Sequence, residues 1–364
     1  MDAREFEAAG LYDPAAPGAA DRLALLELLV ARGVPLARMQ DAARRGVLYV
    51  LGGRASSGLV PTLSVAAAAE RTGMAVADVE QFLRDAGLPP VGTDVPVFFE
   101  QDLEALRTVA FAVEVAGGAV ARHALRVAGS GVASTAEAML TEFRASVEVP
   151  MREAHASELA LARRLDGATN ILQRFPTILA VLFRLHVDRA FARFGDLGRG
   201  RPADSAPLAV GFVDLAGFTS LSETLGAAEL IRLIERFEDT ARDAVVARDG
   251  RVVKLIGDEV MFVAARAEAA CDAALALVGA FRHDEVVRPR GGVASGAVLV
   301  RAGDYFGPVV NLASRLVHLA APGEVLVTEA VAAEARGVRF VPAGTRTVRG
   351  LRQAVAVLSA EGRS

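Results

Sequence analysis

Several residue types and segments are scarce in this chain of 364 residues, and each scarcity excludes a class of protein. The single cysteine, Cys271, cannot form an internal disulfide, which favours a reducing, cytoplasmic compartment. The N-terminal stretch MDAREFEAAG carries acids where a signal peptide would need basic residues before an apolar run. Residues 171–191 are the most apolar stretch of spanning length, but they contain three arginines, a histidine, an aspartate and a proline. No membrane span is therefore expected.

The usual phosphate-binding motifs are also missing. The stretch GGRASSGLV lacks the lysine of a P-loop, and GGVASG has neither the spacing nor the helix start of a dinucleotide-binding turn. One cysteine and five scattered histidines make a zinc site improbable. Walker-type and Rossmann-type nucleotide binding are therefore not expected.

An excess of positive charge is absent as well, since the formal net charge is −4. This balance argues against a generally basic nucleic-acid binder. Two stretches, ARGVPLARMQDAARRG and AERTGMAVADVEQFLRDAG, have a helix-turn-helix outline. In the second, the recognition-like segment VADVEQFLRDAG presents Asp78, Glu80 and Asp85 against one arginine, Arg84, and this charge suits phosphate contact poorly. DNA binding is not the expected function.

The pattern of apolar residues divides the chain into two domains. Residues 1–194 have helical spacing and predict an all-α domain, residues 195–207 are rich in Gly and Pro and predict a linker, and residues 208–364 predict an α+β domain. In the first domain we predict a long last helix that is kinked or interrupted around Pro176. The other helices predicted there are Asp21–Arg32, Pro35–Arg45, Ser64–Thr72, Val76–Ala86, Glu100–Val115, Ala119–Val127 and Ser134–Val147.

The second domain alternates strands and helices around one hairpin. The stretch VVKLIGDEVMFV places a Gly-Asp turn between two apolar runs, which predicts two antiparallel strands. LAVGFVDL and GGVASGAVLV are predicted strands, followed by short β-rich segments that run to Val357. The predicted helices are Thr219–Gly226, Ala227–Arg248, Ala267–Arg282 and Pro308–Leu319.

Two carboxylates stand at strand ends in this domain. Asp214 ends one strand and Asp258 lies at the hairpin tip, so adjacent strands would bring both close enough to bind metal ions about 4 Å apart. The N–H groups of Gly217, Phe218 and Thr219, at the following helix start, are predicted to meet phosphate oxygens. The alternative is that Asp214 caps that helix and Asp258 merely suits a turn. Glu259, beside Asp258, is expected to be solvated.

The helix that begins at Pro308 carries two further candidates. Asn311 and Arg315 are four residues apart and therefore share one helix face. Asn offers a donor and an acceptor for a hydroxyl group, and Arg offers a permanent charge for a phosphate. The alternative is a solvated helix face.

These stretches, FVDLAGFTSLSE, VVKLIGDEVMFV and GDYFGPVVNLASRL, together resemble the catalytic domain of class III nucleotide cyclases over about Leu208–Ser359. The resemblance implies a ferredoxin-like fold with a mainly antiparallel sheet and a head-to-tail homodimer with active sites at the interface. It implies metal binding by Asp214, Asp258 and the carbonyl of Leu215, with Mg²⁺ or Mn²⁺ as two ions per site.

The same resemblance assigns the substrate contacts. Lys254 would contact the adenine ring nitrogen and Asp304 the exocyclic amino group, so ATP is the expected substrate. Asn311 and Arg315 would orient the ribose and stabilise the transition state. Arg349 would contact the terminal phosphates, although Arg352 competes for that role. With all six side-chain positions present, a homodimer would hold two complete sites that form cyclic AMP and pyrophosphate.

The helical half is similar to the regulatory domain of pH-sensing mycobacterial-type adenylyl cyclases. That resemblance implies autoinhibition relieved by acid and a cavity that accepts a fatty acid. Histidine titrates in the required range, and His186 and His318 are the candidate sensors. Two hypotheses follow: a regulated adenylyl cyclase, or a catalytically weak or inactive cyclase-fold regulator that binds DNA through the helix-turn-helix-like segments.

Overall fold

The computed structural model describes residues 1–56, 61–195, 205–284, 286–347 and 354–363. The chain divides into two compact units, Met1–His186 and Val187–Ser364. The predicted linker falls mostly on residues 196–204, outside the described ranges, and its last three residues already belong to a strand. The domain boundaries therefore stay a prediction. Among the helices in the described ranges, none has the length and apolarity that crossing a bilayer would need.

The first unit is helical, as predicted, and its apolar residues form two clusters. One surrounds Phe6, Leu25 and Met39, and the other surrounds Val65, Leu83 and Phe98. Its elements are α1 (Ala3–Ala8), α2 (Ala19–Ala31), α3 (Leu36–Arg44), α4 (Leu48–Ser56), β1 (Leu63–Ser64), α5 (Val65–Thr72), α6 (Val76–Asp85), β2 (Pro96–Phe98), a 3₁₀ turn (Glu100–Asp102), α7 (Leu103–Ala116), α8 (Gly118–Phe143), a π-helical turn (Arg144–Glu148), α9 (Val149–Glu153) and most of α10 (Glu158–Gly195), whose residues from Val187 onwards are counted with the second unit.

One prediction about the helices of this unit was wrong, and another was wrong in part. The separate helices Ala119–Val127 and Ser134–Val147 are one helix, α8, which continues through Gly129. A Cβ atom at Gly129 would lie 2.5 Å from the carbonyl oxygen of Ala86, so the glycine permits close packing that offsets its poor helix propensity. Of the kink or interruption predicted around Pro176, the interruption is absent, since α10 continues through the proline; the kink stays a prediction. The break lies earlier, before Glu158, where His155 has a φ of 56°.

The second unit has the predicted α+β composition. The predicted hairpin and the helix Pro308–Leu319 are confirmed. Its elements are β3 (Ser205–Ala216), α11 (Phe218–Ser222), α12 (Ala227–Val246), β4 (Arg251–Ile256), β5 (Glu259–Ala264), α13 (Ala267–Ala280), β6 (Arg288–Arg301), β7 (Asp304–Phe306), α14 (Pro308–Leu319), β8 (Val325–Thr328), α15 (Glu329–Glu334), β9 (Val338–Arg346) and β10 (Val355–Arg363).

One sheet organises this unit. Its strand order is β4-β5-β3-β6-β8-β10-β9, with β7 paired to β6, and the β6–β8 pair is parallel while the other pairs are antiparallel. Alternate residues of β3 face opposite sides, so Val213 packs with α12 and α13 while Phe212 packs with α14. Asp214 is two residues after Phe212, so its side chain leaves the same face of the sheet, the one that α14 covers.

Two glycines of the sheet allow close packing in this unit. A Cβ atom at Gly292 of β6 would lie 2.5 Å from the backbone nitrogen of Val317 in α14. A Cβ atom at Gly211 of β3 would lie 2.1 Å from the ring of Phe262 in β5. The glycines therefore allow α14 and the Phe262 ring to lie directly on the sheet, and this packing sets the position of the polar residues described next.

Candidate active site

The first part of the site is a carboxylate–guanidinium contact in the centre of the sheet. Asp214 on β3 lies directly opposite Arg290 on β6 in the strand register. Arg290 donates from Nε and Nη2 to Asp214 Oδ2 at 3.2 and 3.0 Å. Its Nη1 donates to the carbonyl oxygen of His318, at the end of α14, at 3.3 Å. The arginine therefore ties the strand that carries Asp214 to the end of α14.

Asp258 lies beside Asp214 because β5 is the other neighbour of β3. The Leu215 N–H donates to the Asp258 carbonyl oxygen at 3.0 Å and holds the hairpin tip against the strand. Burial raises the pKa of Asp258, and the charge of the adjacent Asp214 and a hydrogen bond with it raise the pKa further. Two carboxylates thus share a partly dehydrated position, where a cation would relieve their repulsion.

The structure corrects the prediction made for Glu259 in this hairpin. It was expected to be solvated, yet its Oε1 atom is buried and has no hydrogen-bond partner among the described residues. Burial, followed by the charges of Asp214 and Asp258, raises the pKa of Glu259 from 4.5 to about 7. The reason is the register, since Glu259 pairs directly with Asp214 and its side chain leaves the same face of the sheet.

A second polar pair forms between β4 and β7. Lys254 Nζ lies 2.7 Å from Asp304 Oδ2, with both side chains partly exposed. Burial alone would raise the pKa of Asp304, but the hydrogen bond and charge of Lys254 and the Tyr305 N–H outweigh it and lower that pKa. The pair is therefore an ionised donor and acceptor held side by side. The structure brings these two predicted residues together.

Asn311 and Arg315 lie on α14, as predicted, with Asn311 exposed and Arg315 partly buried. Buried Ala313 and Val317, on the opposite side of the helix, hold it on the sheet. Within the described residues, neither predicted side chain bonds or ion-pairs with the aspartates. Their positions follow from the helix, while their roles stay predictions.

The remaining predicted residues are spread more widely. Gly217 has a φ of +81° and precedes α11, and Phe218 packs against the core. The Thr219 side chain and Arg349 lie outside the described residues. His186 on α10 and His318 on α14 are both exposed. The proposed sensing roles of the two histidines stay predictions.

Arg290 is the site residue that sequence reasoning missed. The segment Arg288-Pro-Arg-Gly-Gly contains two arginines, and its spacing does not say which of them faces a carboxylate. The strand register decides it, because Arg290 opposes Asp214 while Arg288 opposes Ala216. The available signal was an arginine just before the predicted strand GGVASGAVLV, which in the structure belongs to the same strand, β6.

The donor set fits Mg²⁺ or Mn²⁺. Carboxylate and carbonyl oxygens are the ligands these cations prefer, and a site with one or two carboxylates completes its shell with water and substrate phosphates. Within the described residues, no group of three or more His, Cys, Asp or Glu side chains is placed to hold one ion. Asp214 and Asp258, with the unpartnered Glu259 oxygen nearby, would therefore hold a cation together with the substrate.

Comparison with known proteins identifies the family of the chain. Residues 202–359 match the family model described as the adenylate and guanylate cyclase catalytic domain. An uncharacterized protein of Mycobacterium tuberculosis (strain H37Rv) is 37% identical over 332 residues, 90% of this chain and 85% of that protein. A pH-sensitive adenylate cyclase of M. tuberculosis (strain CDC 1551) is 36% identical over 241 residues, 63% of this chain and 59% of that protein.

Solved structures give a partial match. An adenylyl cyclase from P. aeruginosa aligns with a TM-score of 0.39 and 23% identity, covering 44% of this chain and 96% of that one. The family assignment rests on the sequence relatives rather than on this partial match.

An adenylate cyclase of Streptomyces coelicolor is 35% identical over 279 residues, 76% of this chain and 72% of that enzyme. The chain therefore belongs to the class III cyclase family, and its catalytic domain is that of an adenylate cyclase.

Proposed function

We propose that this protein converts ATP to 3′,5′-cyclic AMP and pyrophosphate at sites shared by two copies of the chain. The observation that carries the proposal is the Lys254–Asp304 pair, 2.7 Å apart. Adenine presents a ring-nitrogen acceptor beside an amino donor, which an ammonium donor and a carboxylate acceptor complement. Guanine has an N–H donor at that ring nitrogen and a carbonyl acceptor in place of the amino group. The ammonium donor would therefore meet a donor, and the carboxylate acceptor would meet an acceptor.

The reaction needs an in-line attack of the ribose 3′-oxygen on the α-phosphorus. The 3′-hydroxyl gives up its proton to water, the bond from that phosphorus to the bridging oxygen breaks, and pyrophosphate leaves. Asn311 would orient the ribose, and Arg315 would face the negative charge that grows on the phosphoryl oxygens. The N–H groups at Gly217 and Phe218, with Thr219 and Arg349, would bind the triphosphate. Divalent cations held by Asp214, Asp258 and the Leu215 carbonyl would supply charge for the attacking oxygen and the triphosphate.

Two copies are proposed because the predicted groups fall into two sets. Asp214 and Asp258 form one set, and Lys254, Asp304, Asn311 and Arg315 form the other. Among the described residues, no hydrogen bond or ion pair joins the first set to the second. In a head-to-tail homodimer each site would take one set from each copy, which gives two equivalent sites.

The test is a direct assay of the full chain for cyclic AMP, with ATP or GTP and with Mn²⁺ or Mg²⁺. Cyclic AMP formed from ATP in large excess over cyclic GMP formed from GTP supports the proposal. Asp214→Ala should abolish the product, whereas Glu329→Gln, an exposed change in α15, should not. A full chain that folds, binds Mn²⁺ and forms no cyclic nucleotide would favour the alternative of an inactive cyclase-fold regulator.

Regulation through the helical unit is the second part of the proposal. An open groove of about 540 Å³ in this unit is lined mainly by apolar side chains, including Phe82, Leu88, Val91 and Val97. Its apolar lining suits a fatty-acid chain. One relative is a pH-sensitive adenylate cyclase, which supports regulation by pH, and the exposed His186 is the candidate sensor.

His186→Asn tests the sensor. If His186 senses pH, the rise in activity between about pH 7.5 and 6 should flatten, because the substituted side chain has no titrating group. An unchanged profile in the full-length variant would exclude His186.

A further inference from the structure

Glu259 occupies a position that the residues of the proposed reaction leave unexplained. It pairs with Asp214 across the β3–β5 ladder, where directly opposed Cβ atoms lie about 5 Å apart on one face of the sheet. Asp258 precedes it at the hairpin tip. Three carboxylates therefore converge at one end of two neighbouring strands.

The guanidinium group of Arg290, which contacts one of these carboxylates, already has hydrogen-bond partners at all three of its nitrogens. Arg290 contacts Asp214 through Nε and Nη2, and its Nη1 contacts the His318 carbonyl oxygen. Glu259 has no ion-pair partner among the described residues, and its Oε1 is buried without a hydrogen bond. A buried carboxylate oxygen without a partner destabilises a fold.

The strand offers no structural reason for this carboxylate. Val260 to Ala264, the rest of β5, are all buried and apolar. A β-branched residue at position 259 would suit the sheet better than a glutamate does. The glutamate also caps no helix, since α11 and α12 begin at other residues. Its location beside Asp214 and Asp258 is what distinguishes it.

We propose that Glu259 is a positioning residue that strengthens divalent-cation binding at the Asp214–Asp258 carboxylates. It acts through the negative potential it adds, since no three such side chains in the described ranges are placed to ligate one ion. The inference rests on the proposed function, because it assumes that Asp214 and Asp258 bind the cations of the cyclase reaction. It predicts opposite effects of one substitution on stability and on cation affinity.

The experiment measures Mn²⁺ binding to the full-length protein by electron paramagnetic resonance, with Mn²⁺ alone and with 3′-deoxy-ATP, which lacks the attacking hydroxyl. The variants are Glu259→Gln, which removes the charge at nearly constant volume, and Glu329→Gln, which removes an exposed charge of the same unit. Glu259→Gln should weaken Mn²⁺ binding about tenfold, as expected for one unit charge within several ångströms of the ion. Glu329→Gln should leave the affinity unchanged.

Two further measurements separate a positioning role from a structural one. Glu259→Asp keeps the charge and should restore most of the affinity. Without metal, Glu259→Gln should melt at the same or a higher temperature than the wild type, because it removes a repelled carboxylate. A merely structural glutamate would instead lower the melting temperature without changing Mn²⁺ affinity in the folded protein. If Glu259→Gln does not fold, Glu259→Met, of similar length, repeats the measurement.

Unchanged or tighter Mn²⁺ binding by folded Glu259→Gln would overturn the inference. Asp214→Asn distinguishes this result from a failure of the proposed function. If Asp214→Asn loses Mn²⁺ binding while Glu259→Gln keeps it, the metal site stands and the role of Glu259 is rejected. If Asp214→Asn binds Mn²⁺ as tightly as the wild type, the proposed metal site itself is rejected, and the inference with it.

Discussion

At the scale of single residues, the contact between Asp214 and Arg290 balances part of the charge in the site. The Asp214 side chain is 11% exposed and the Arg290 side chain 23% exposed, so water screens the pair weakly. The guanidinium is held at two of its nitrogens by one carboxylate oxygen and at the third by a carbonyl oxygen. Without the guanidinium group, little positive charge would remain to offset the negative charge of the buried carboxylates.

Arg290→Met should therefore destabilise the protein by about 3 kcal/mol, the order expected when one partner of a buried ion pair is removed. Thermal unfolding of the full chain measures it, and Mn²⁺ should restore part of the loss by supplying positive charge. Arg266→Met is the matched control, because Arg266 lies 3.9 Å from Glu268 with 69% of its side chain exposed. Such an exposed pair contributes little. Equal melting temperatures for Arg290→Met and wild type would contradict the prediction.

The Lys254–Asp304 pair allows a test of purine selection. Lys254→Glu combined with Asp304→Cys replaces the ammonium donor and the carboxylate acceptor with groups that suit guanine. The ratio of kcat/KM for ATP to that for GTP should fall at least about tenfold, because one hydrogen-bonded recognition pair is worth about 1–3 kcal/mol. Initial rates with each nucleotide measure it. If the double variant lost activity with both nucleotides in equal proportion, the pair would serve folding and not the choice between ATP and GTP.

At the scale of elements, the position of α14 on the sheet depends on close backbone packing. The Cα of Gly292 lies under α14, where a Cβ atom would also come within 2.6 Å of the Ala313 carbonyl oxygen. The exposed Asn311 and the partly buried Arg315 lie on the side of the same helix that faces away from Ala313 and Val317. A displacement of α14 would therefore move both predicted catalytic residues together.

Gly292→Ala should lower the free energy of unfolding by about 2 kcal/mol or more, as overpacking a core does. Cyclic AMP formation should fall by more than the folded fraction explains, since α14 must shift. Gly279→Ala in α13 is the control, because no atom lies within 4 Å of its added Cβ. Alanine there should be neutral or stabilising by up to about 1 kcal/mol. Full activity and stability in Gly292→Ala would show that α14 tolerates the methyl group.

In the helical unit, Asp85 links α6 to α8. It is 4% exposed, and its carboxylate accepts from Arg126 Nε at 2.7 Å and Gln81 Nε2 at 2.9 Å. Burial alone would raise the pKa of Asp85, but these hydrogen bonds and the charge of Arg126 hold it below its usual 3.8. A pKa that is lower in the folded state means that the contact stabilises the fold above about pH 4. That contribution is lost as the pH falls through the folded-state pKa.

Asp85→Asn should therefore lower the melting temperature by several degrees at pH 7. The difference from wild type should shrink as the pH falls from about 4 towards 2, where wild-type Asp85 is also neutral. Melting curves across this range measure it. Glu114→Gln, an exposed change in α7, should show no such convergence. A difference that stays constant with pH would mean that shape rather than charge explains the effect.

At the scale of the whole molecule, the proposed catalytic unit is a pair of chains. Each copy would contribute its aspartates to one site and its Lys254, Asp304, Asn311 and Arg315 to the other. A chain damaged in one set would therefore keep the other set intact.

Mixing Asp214→Ala with Arg315→Ala chains tests this arrangement, because each variant alone should be inactive. In an equal mixture about half of the dimers contain both variants, and each of these has one intact site out of two. About a quarter of the wild-type rate should return, measured as cyclic AMP formed after mixing. An inactive mixture, with mixed dimers shown by native mass spectrometry, would mean that the sites are not shared.

Sequence reasoning succeeded where a pattern is local. The hairpin around Asp258 follows from a Gly-Asp turn between two apolar runs, and α14 follows from the proline start and the helical spacing of its buried residues. It failed between Val127 and Ser134, where two helices were predicted and one continues, and it allowed an interruption at Pro176 that the helix does not have. The long helices continue there because packing and many backbone bonds offset the cost of one glycine or proline.

The sequence by itself determined the order of elements, the motifs of the catalytic domain and the residues that carry them, because helix and strand periodicity and turn chemistry act over a few neighbouring positions. Only the tertiary structure decided that Arg290 opposes Asp214, that Glu259 is buried beside the aspartates, and that Lys254 meets Asp304. These contacts join residues far apart in the chain or depend on a strand register. A shift of one residue in that register would turn each side chain to the other face of the sheet.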